Sequence, residues 1–103
     1  MAPKNTRRIA RQRIETLYRV AQETVHTDPG LAKRYVQLLR KIAQRTRTHL
    51  PLEVRRGICR ECDTVLIQGF NSRTRLRQRR EQHIAITCQN CGNITRIPTG
   101  ERQ

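Results

Sequence analysis

From about Arg7 to Val25, apolar residues recur at helical spacing. Ala10, Ile14, Leu17, Tyr18, Ala21 and Val25 form one stripe, and Arg8, Arg11, Gln12, Arg19 and Glu23 lie mostly off it. The pattern predicts an amphipathic helix. Thr27-Asp28-Pro29 breaks it and starts another. The Asp28 carboxylate can accept the open N–H groups of a new helix, and Pro29 suits its first turn. The second helix is predicted from Pro29 to about Arg47, with a stripe of Leu31, Tyr35, Leu38, Leu39 and Ile42. Its basic face carries Lys33, Arg34, Arg40, Lys41 and Arg45. Leu50-Pro51 is predicted to end it, because a residue before proline avoids helical geometry. The short turn makes the two helices antiparallel neighbours.

Beyond Pro51 the period shortens to that of strands. Ile58 leads into a first cysteine turn and Val65-Leu66-Ile67 leads out of it. Gly69-Phe70-Asn71 reads as a turn, and Ser72 to Arg77 as a strand. Ile84-Ala85-Ile86-Thr87 enters a second cysteine turn and Ile94-Thr95-Arg96-Ile97 leaves it. The fold class is therefore α+β: a helical hairpin over residues 7–50, then a zinc ribbon with a small antiparallel sheet over 51–98. Residues 1–6 read as disordered and 99–103 as a short polar tail.

The cysteines give the second half its chemistry. Cys59-Arg60-Glu61-Cys62 and Cys88-Gln89-Asn90-Cys91 are two C-x2-C pairs with 25 residues between them. This is the spacing at which two tight turns offer four sulfurs to one tetrahedral zinc ion. Two disulfides or a redox pair fit less well, since a redox C-x-x-C stands singly in a βαβ pattern. Gly92 follows the second pair, where the chain must turn so that backbone N–H groups reach sulfur. Asp63 takes that place in the first pair and leaves its geometry open. A site filled by Cys59, Cys62, Cys88 and Cys91 needs no histidine, so His26, His49 and His83 are not expected as ligands.

Composition points to a partner. Hydrophobic content is 35% and aromatic content 3%, too poor in large side chains for an extensive core. Metal and another macromolecule are expected to supply the rest. The apolar stripes are larger than a lone hairpin can cover, which marks Leu17, Tyr18, Ala21, Tyr35, Leu38, Leu39 and Ile42 as a protein-binding surface. The basic N-terminus has no apolar run of a secretory signal. With reduced, metal-bound thiols, this suits a cytoplasmic protein.

Charge names the kind of partner. There are 22 Lys+Arg against 8 Asp+Glu, a formal charge of +14. Nineteen of the basic residues are arginine, whose planar fork binds phosphate bidentately and stacks on bases. Arg73, Arg75 and Arg77 alternate along a strand, so they share one face at intervals of roughly 6.6 Å. Such a comb can follow a phosphodiester backbone, and Arg79 and Arg80 extend it. Arg55, Arg56 and Arg96 flank the two cysteine turns and are further candidate phosphate contacts. Tyr18 and Tyr35 lie on the apolar stripes and read as core; Phe70 lies in a turn. No catalytic residue is assigned, because the eight acids are scattered without a pair placed for two-metal chemistry.

The order of these pieces is informative. Asp28-Pro29-Gly30-Leu31-Ala32-Lys33-Arg34-Tyr35-Val36 is followed by Arg40-Lys41-Ile42, Leu50-Pro51 and Arg55-Arg56-Gly57-Ile58-Cys59-x2-Cys62. Then come Gly69-Phe70-Asn71-Ser72-Arg73-Thr74-Arg75 and Cys88-x2-Cys91-Gly92-Asn93-Ile94-Thr95-Arg96-Ile97-Pro98. Over residues 7–98 this resembles the archaeal ribonuclease P protein component 4 family; one departure is Gln68, where proline is expected. The resemblance implies a non-catalytic subunit of an RNA-based enzyme that removes the 5′ leader of precursor tRNA. It implies two helices and a zinc ribbon, one structural zinc, and an active site carried by ribonuclease P RNA. The protein would pair with protein component 1 through its helices and support the specificity region of the RNA, meeting precursor tRNA indirectly. The competing reading is a zinc-ribbon protein of the transcription or ribosome machinery. A metal-dependent hydrolase acting alone is a third.

Overall fold

Three helices precede three strands in the computed structural model, which describes residues 4–78 and 81–99. The helices are α1 (Lys4–Thr24), α2 (Pro29–Thr46) and α3 (Leu52–Arg56); the strands are β1 (Ser72–Arg77), β2 (His83–Cys88) and β3 (Ile94–Pro98). The α+β class and the order of helices before sheet match the sequence reading. Packing divides the chain into two units, residues 1–65 and 66–103. The division falls after Val65 rather than after Leu50, because α3 and the first cysteine turn belong with the helices.

In the first unit, α1 and α2 pack against each other. α1 begins at Lys4, so residues 4–6 are helical where the sequence reading has disorder. No glycine or proline interrupts Lys4–Thr24, and nothing stops the helix from propagating toward its N-terminus. Residues 1–3 lie outside the described residues. The α1 stripe is as predicted: Ala10, Ile14, Tyr18, Ala21 and Val25 are buried, and Leu17 is half-buried. Asp28 caps α2, its Oδ1 accepting the Leu31 N–H at 3.1 Å, with Pro29 in the first turn.

The buried row of α2 is not the predicted one. Ala32, Val36, Leu39 and Ala43 face inward, while Leu31, Tyr35 and Ile42 are half-buried and Leu38 is 48% exposed. Two apolar rows of the same period run side by side along α2, and size misleads between them. The row with two alanines lets another helix approach closely, so it turns inward and leaves the bulkier row on the flank. Of the seven residues read as a protein-binding surface, Tyr18, Ala21 and Leu39 are thus interior. Leu17, Tyr35, Leu38 and Ile42 keep accessible area.

α2 ends at Thr46, within one residue of the predicted Arg47, but a local cap rather than Leu50-Pro51 stops it. Arg47 adopts the left-handed conformation (φ 54°), and the Thr48 N–H donates to the Ala43 carbonyl at 2.9 Å. Left-handed backbone costs a side-chain-bearing residue roughly 1–2 kcal/mol. Local hydroxyl bonds offset it: Thr46 Oγ1 donates to the Ile42 carbonyl at 2.7 Å and lies 2.9 Å from Thr48 Oγ1. Pro51 instead precedes α3, a helix of five residues that the strand-like reading of this segment does not contain. One turn is too short to show a period. α3 buries Val54, and Gly57 follows it. A Cβ at Gly57 would collide with the Tyr18 hydroxyl, so only glycine allows this backbone to rest against the tyrosine. Burial, and secondarily the Glu53 carboxylate, push the Tyr18 hydroxyl above its ordinary pKa.

The second unit is an antiparallel meander in the order β1-β2-β3. Arg73 opposes Thr87, Arg75 opposes Ala85 and Arg77 opposes His83; on the other side of β2, Thr87 opposes Ile94, Ala85 opposes Arg96 and His83 opposes Pro98. Val65-Leu66-Ile67 forms no strand; it contributes only the isolated bridge between Val65 and Ile58. The turn before β1 is held by Asn71, whose Oδ1 accepts the Ile67 N–H at 2.8 Å and whose carbonyl accepts the Gln89 N–H at 2.9 Å. Gly69 supplies the positive φ that the turn needs.

Candidate metal centre and nucleic-acid interface

Each cysteine pair sits in the same closed loop. In the first, the Asp63 N–H donates to the Cys59 carbonyl at 2.9 Å and the Cys59 N–H donates to the Thr64 carbonyl at 2.9 Å. In the second, the Gly92 N–H donates to the Cys88 carbonyl and the Cys88 N–H to the Asn93 carbonyl, both at 2.8 Å. Both loops require a left-handed residue after the second cysteine. Gly92 has φ 85° and Asp63 has φ 59°. The first loop is therefore built like the second, with a short polar residue standing in for glycine. Asp63 Oδ1 also lies 2.9 Å from Arg40 Nε of α2. That approach is off the N–H axis, an ion pair rather than a linear hydrogen bond.

The sulfurs of Cys59, Cys62, Cys88 and Cys91 lie within 4.8 Å of one another. A tetrahedral ion with metal–sulfur bonds of about 2.3 Å would place them about 3.8 Å apart. The donor set fits one metal ion after a contraction of at most about 1 Å. No disulfide joins them. Cys59 and Cys88 are buried, Cys62 is half-buried and Cys91 exposed. Thr64 Oγ1 lies 3.0 Å from Cys62 Sγ and can donate to a thiolate there. Neither this hydroxyl nor the Arg40–Asp63 pair was found from sequence; a Thr two residues after a ligand cysteine was the available signal.

The arginines of β1 form an exposed comb. Arg73, Arg75 and Arg77 are exposed on one side of β1, and Arg96 of β3 is exposed on the same sheet face, across Ala85. Thr87, Gln89 and Ala85 complete the surface between them. Sequence reasoning had no register, so it did not link Arg96 to Arg75. Arg55 and Arg56 lie exposed in the last turn of α3, in the other unit. Arg79 and Arg80 lie outside the described residues. The opposite sheet face carries Leu76, which is exposed, and Ile84, Ile86 and Ile97, which are half-buried.

Comparison with known proteins supplies the family. Residues 13–92 match the model of the RNAse P Rpr2/Rpp21/SNM1 subunit domain. "Ribonuclease P protein component 4" of Methanopyrus kandleri is 47% identical over 92 residues, covering 89% of this chain and 72% of that one. The protein of the same name from Methanocaldococcus jannaschii is 42% identical, covering 92% and 75%. Among solved structures, a chain of "archaeal Ribonuclease P with mature tRNA" superposes with a TM-score of 0.83 at 42% identity, covering 88% of this chain and 77% of that one. A second, described as "Pfu Rpp21", gives 0.63 at 38% identity, covering 87% and 99%. With its two packed helices, its three-stranded sheet and its four gathered cysteines, the chain belongs to the Rpr2/Rpp21/SNM1 family of ribonuclease P subunits.

Proposed function

We propose that this chain is a non-catalytic protein subunit of ribonuclease P, supporting the RNA that removes the 5′ leader from precursor tRNA. The observation that carries the reading is the sheet face on which Arg73, Arg75, Arg77 and Arg96 stand exposed together. Guanidinium groups at these intervals neutralise consecutive phosphates and hold one RNA segment in place. They position RNA and perform no bond cleavage. Arg55 and Arg56 add phosphate contacts from the helical unit.

One zinc ion is held by the thiolates of Cys59, Cys62, Cys88 and Cys91. Four thiolates close its coordination sphere, so its role is structural. The helices serve a different partner, protein component 1. The flank of Leu17, Tyr35, Leu38 and Ile42 is the surface offered to it, while Tyr18, Ala21 and Leu39 support that surface from inside. Among the described residues no helix is long and apolar enough to cross a membrane, and reduced thiolates suit the cytoplasm.

The test is recovery of the tagged protein from cells, followed by sequencing of bound RNA and identification of bound protein. Ribonuclease P RNA and protein component 1 are the expected yield. Ribosomal RNA or polymerase subunits in their place would move the chain to the competing reading. In reconstituted enzyme, replacing Arg73, Arg75 and Arg77 together by Ala should weaken assembly and lower the salt dependence by roughly 0.7–0.9 per lost phosphate contact. Saturating protein should restore part of the cleavage.

A further inference from the structure

We propose that the row Arg75–Ala85–Arg96 is a seat for one unpaired RNA base, so that this sheet takes single-stranded RNA in preference to duplex. The inference rests on the RNA-binding reading above and specifies its ligand. Arg75 opposes Ala85 in the β1–β2 pairing, and Ala85 opposes Arg96 in the β2–β3 pairing. With strands about 4.8 Å apart, the α-carbons of the two arginines are about 9–10 Å apart. A base stacked between two guanidinium planes needs about 7 Å, two van der Waals separations of about 3.5 Å. The span leaves room for the arginine stems to rise and for a ring to enter between them.

The floor differs chemically from the rims. Ala85 is buried at 8% exposure, and its neighbours on this face include Thr87 and the 43%-exposed Ile94. A phosphate gains nothing from an alanine and an isoleucine, whereas a base standing between the two guanidinium planes can rest a C–H edge on them. The rim on β1 is a line of three arginines at intervals of roughly 6.6 Å, suited to a single backbone running along the strand. From there a nucleotide reaches inward over Ala85 to Arg96. The one carboxylate lining this groove among the described residues is Glu81, at the end beside Arg77 and His83. Unpaired bases stack readily on arginine planes, whereas in a duplex they are covered and only shape and phosphates are offered.

The test uses the full-length, zinc-loaded protein and fluorescence anisotropy with three probes. These are a short single-stranded oligoribonucleotide, its duplex, and the same strand with abasic sites. The single strand should bind at least about tenfold more tightly than the other two. Arg96→Lys and Ala85→Leu, which both keep the charge, should each weaken single-strand binding about tenfold and duplex binding far less. Arg96 is exposed, so its lysine variant tests the seat even if Ala85→Leu loses zinc. Equal binding of all three probes, or parallel loss on strand and duplex, would overturn the seat while leaving the RNA-binding reading intact. Displacement by a polyglutamate peptide of similar affinity would reduce the row to charge alone and also overturn it. If the wild type bound none of the RNAs, the broader reading would fall and take the seat with it.

Discussion

The two units are held together by different physics. The helical unit buries Ile14, Val25, Val36, Leu39, Val54 and Val65 almost completely. Each such side chain contributes roughly 1.5–3 kcal/mol. The sheet unit buries Ser72, Ala85 and Cys88 and, among the described residues, no large aliphatic side chain. One unit can hold its shape by packing. The other has a hydrogen-bonded ladder, two of the four gathered thiols, Cys88 and Cys91, and little apolar burial to hold it. The division suits the surfaces: the poorly buried sheet spends its side chains on arginines rather than on a core.

The sharpest way to break this comparison is to remove the metal. Chelation, or Cys88→Ser, should abolish the ordered sheet while most of the far-ultraviolet helical signal survives, because a structural zinc site brings about 10–16 kcal/mol. Helices that melt in the same transition would show a single cooperative fold. Next come core truncations. Leu39→Ala or Ile14→Ala should cost about 2–5 kcal/mol in urea unfolding of the metal-loaded protein. Ile86→Ala, on the half-buried side of the sheet, should cost about 1 kcal/mol.

Smaller effects compare the two cysteine loops. A Cβ at Gly92 meets nothing within 4 Å, so Gly92→Ala should show backbone strain alone, about 1–2 kcal/mol. It is read as weaker zinc retention against a competing chelator. Asp63→Gly relieves the same strain but loses the pair with Arg40, worth about 1 kcal/mol or less when half-exposed. Its net change should be close to zero. The smallest effect belongs to Tyr18. Its pKa is raised in the folded state, so its stabilising contribution is full below about pH 10 and is lost as pH rises through the folded value. Thermal unfolding of the helical unit should therefore fall off at high pH, less steeply in Tyr18→Phe.

Much of this was legible in the chain. The cysteine spacing, the α1 stripe, the Asp28-Pro29 start and the arginine alternation all express a fixed local period or a short motif. What was not legible depended on choices that local sequence leaves degenerate. α2 offers two apolar rows at one spacing, and its Ala32–Ala43 row wins through close approach. α3 is one turn long. The end of α2 was legible to within a residue, but not the left-handed arginine that makes it, a conformation no residue type announces. The alignment of Arg75 with Arg96 across Ala85 came only with strand register.

Gly57 carries a consequence for how this chain and its relatives vary. It sits two residues before Cys59, where it could be mistaken for part of the metal motif. Its constraint comes from Tyr18, thirty-nine positions earlier. The two positions form one lock, a missing side chain facing a large one. Substitution at either should be tolerated only in company: Gly57→Ala should be severe alone and milder beside Tyr18→Leu. In a set of related sequences, these columns should change together or not at all, while the cysteines next door stay indifferent to both.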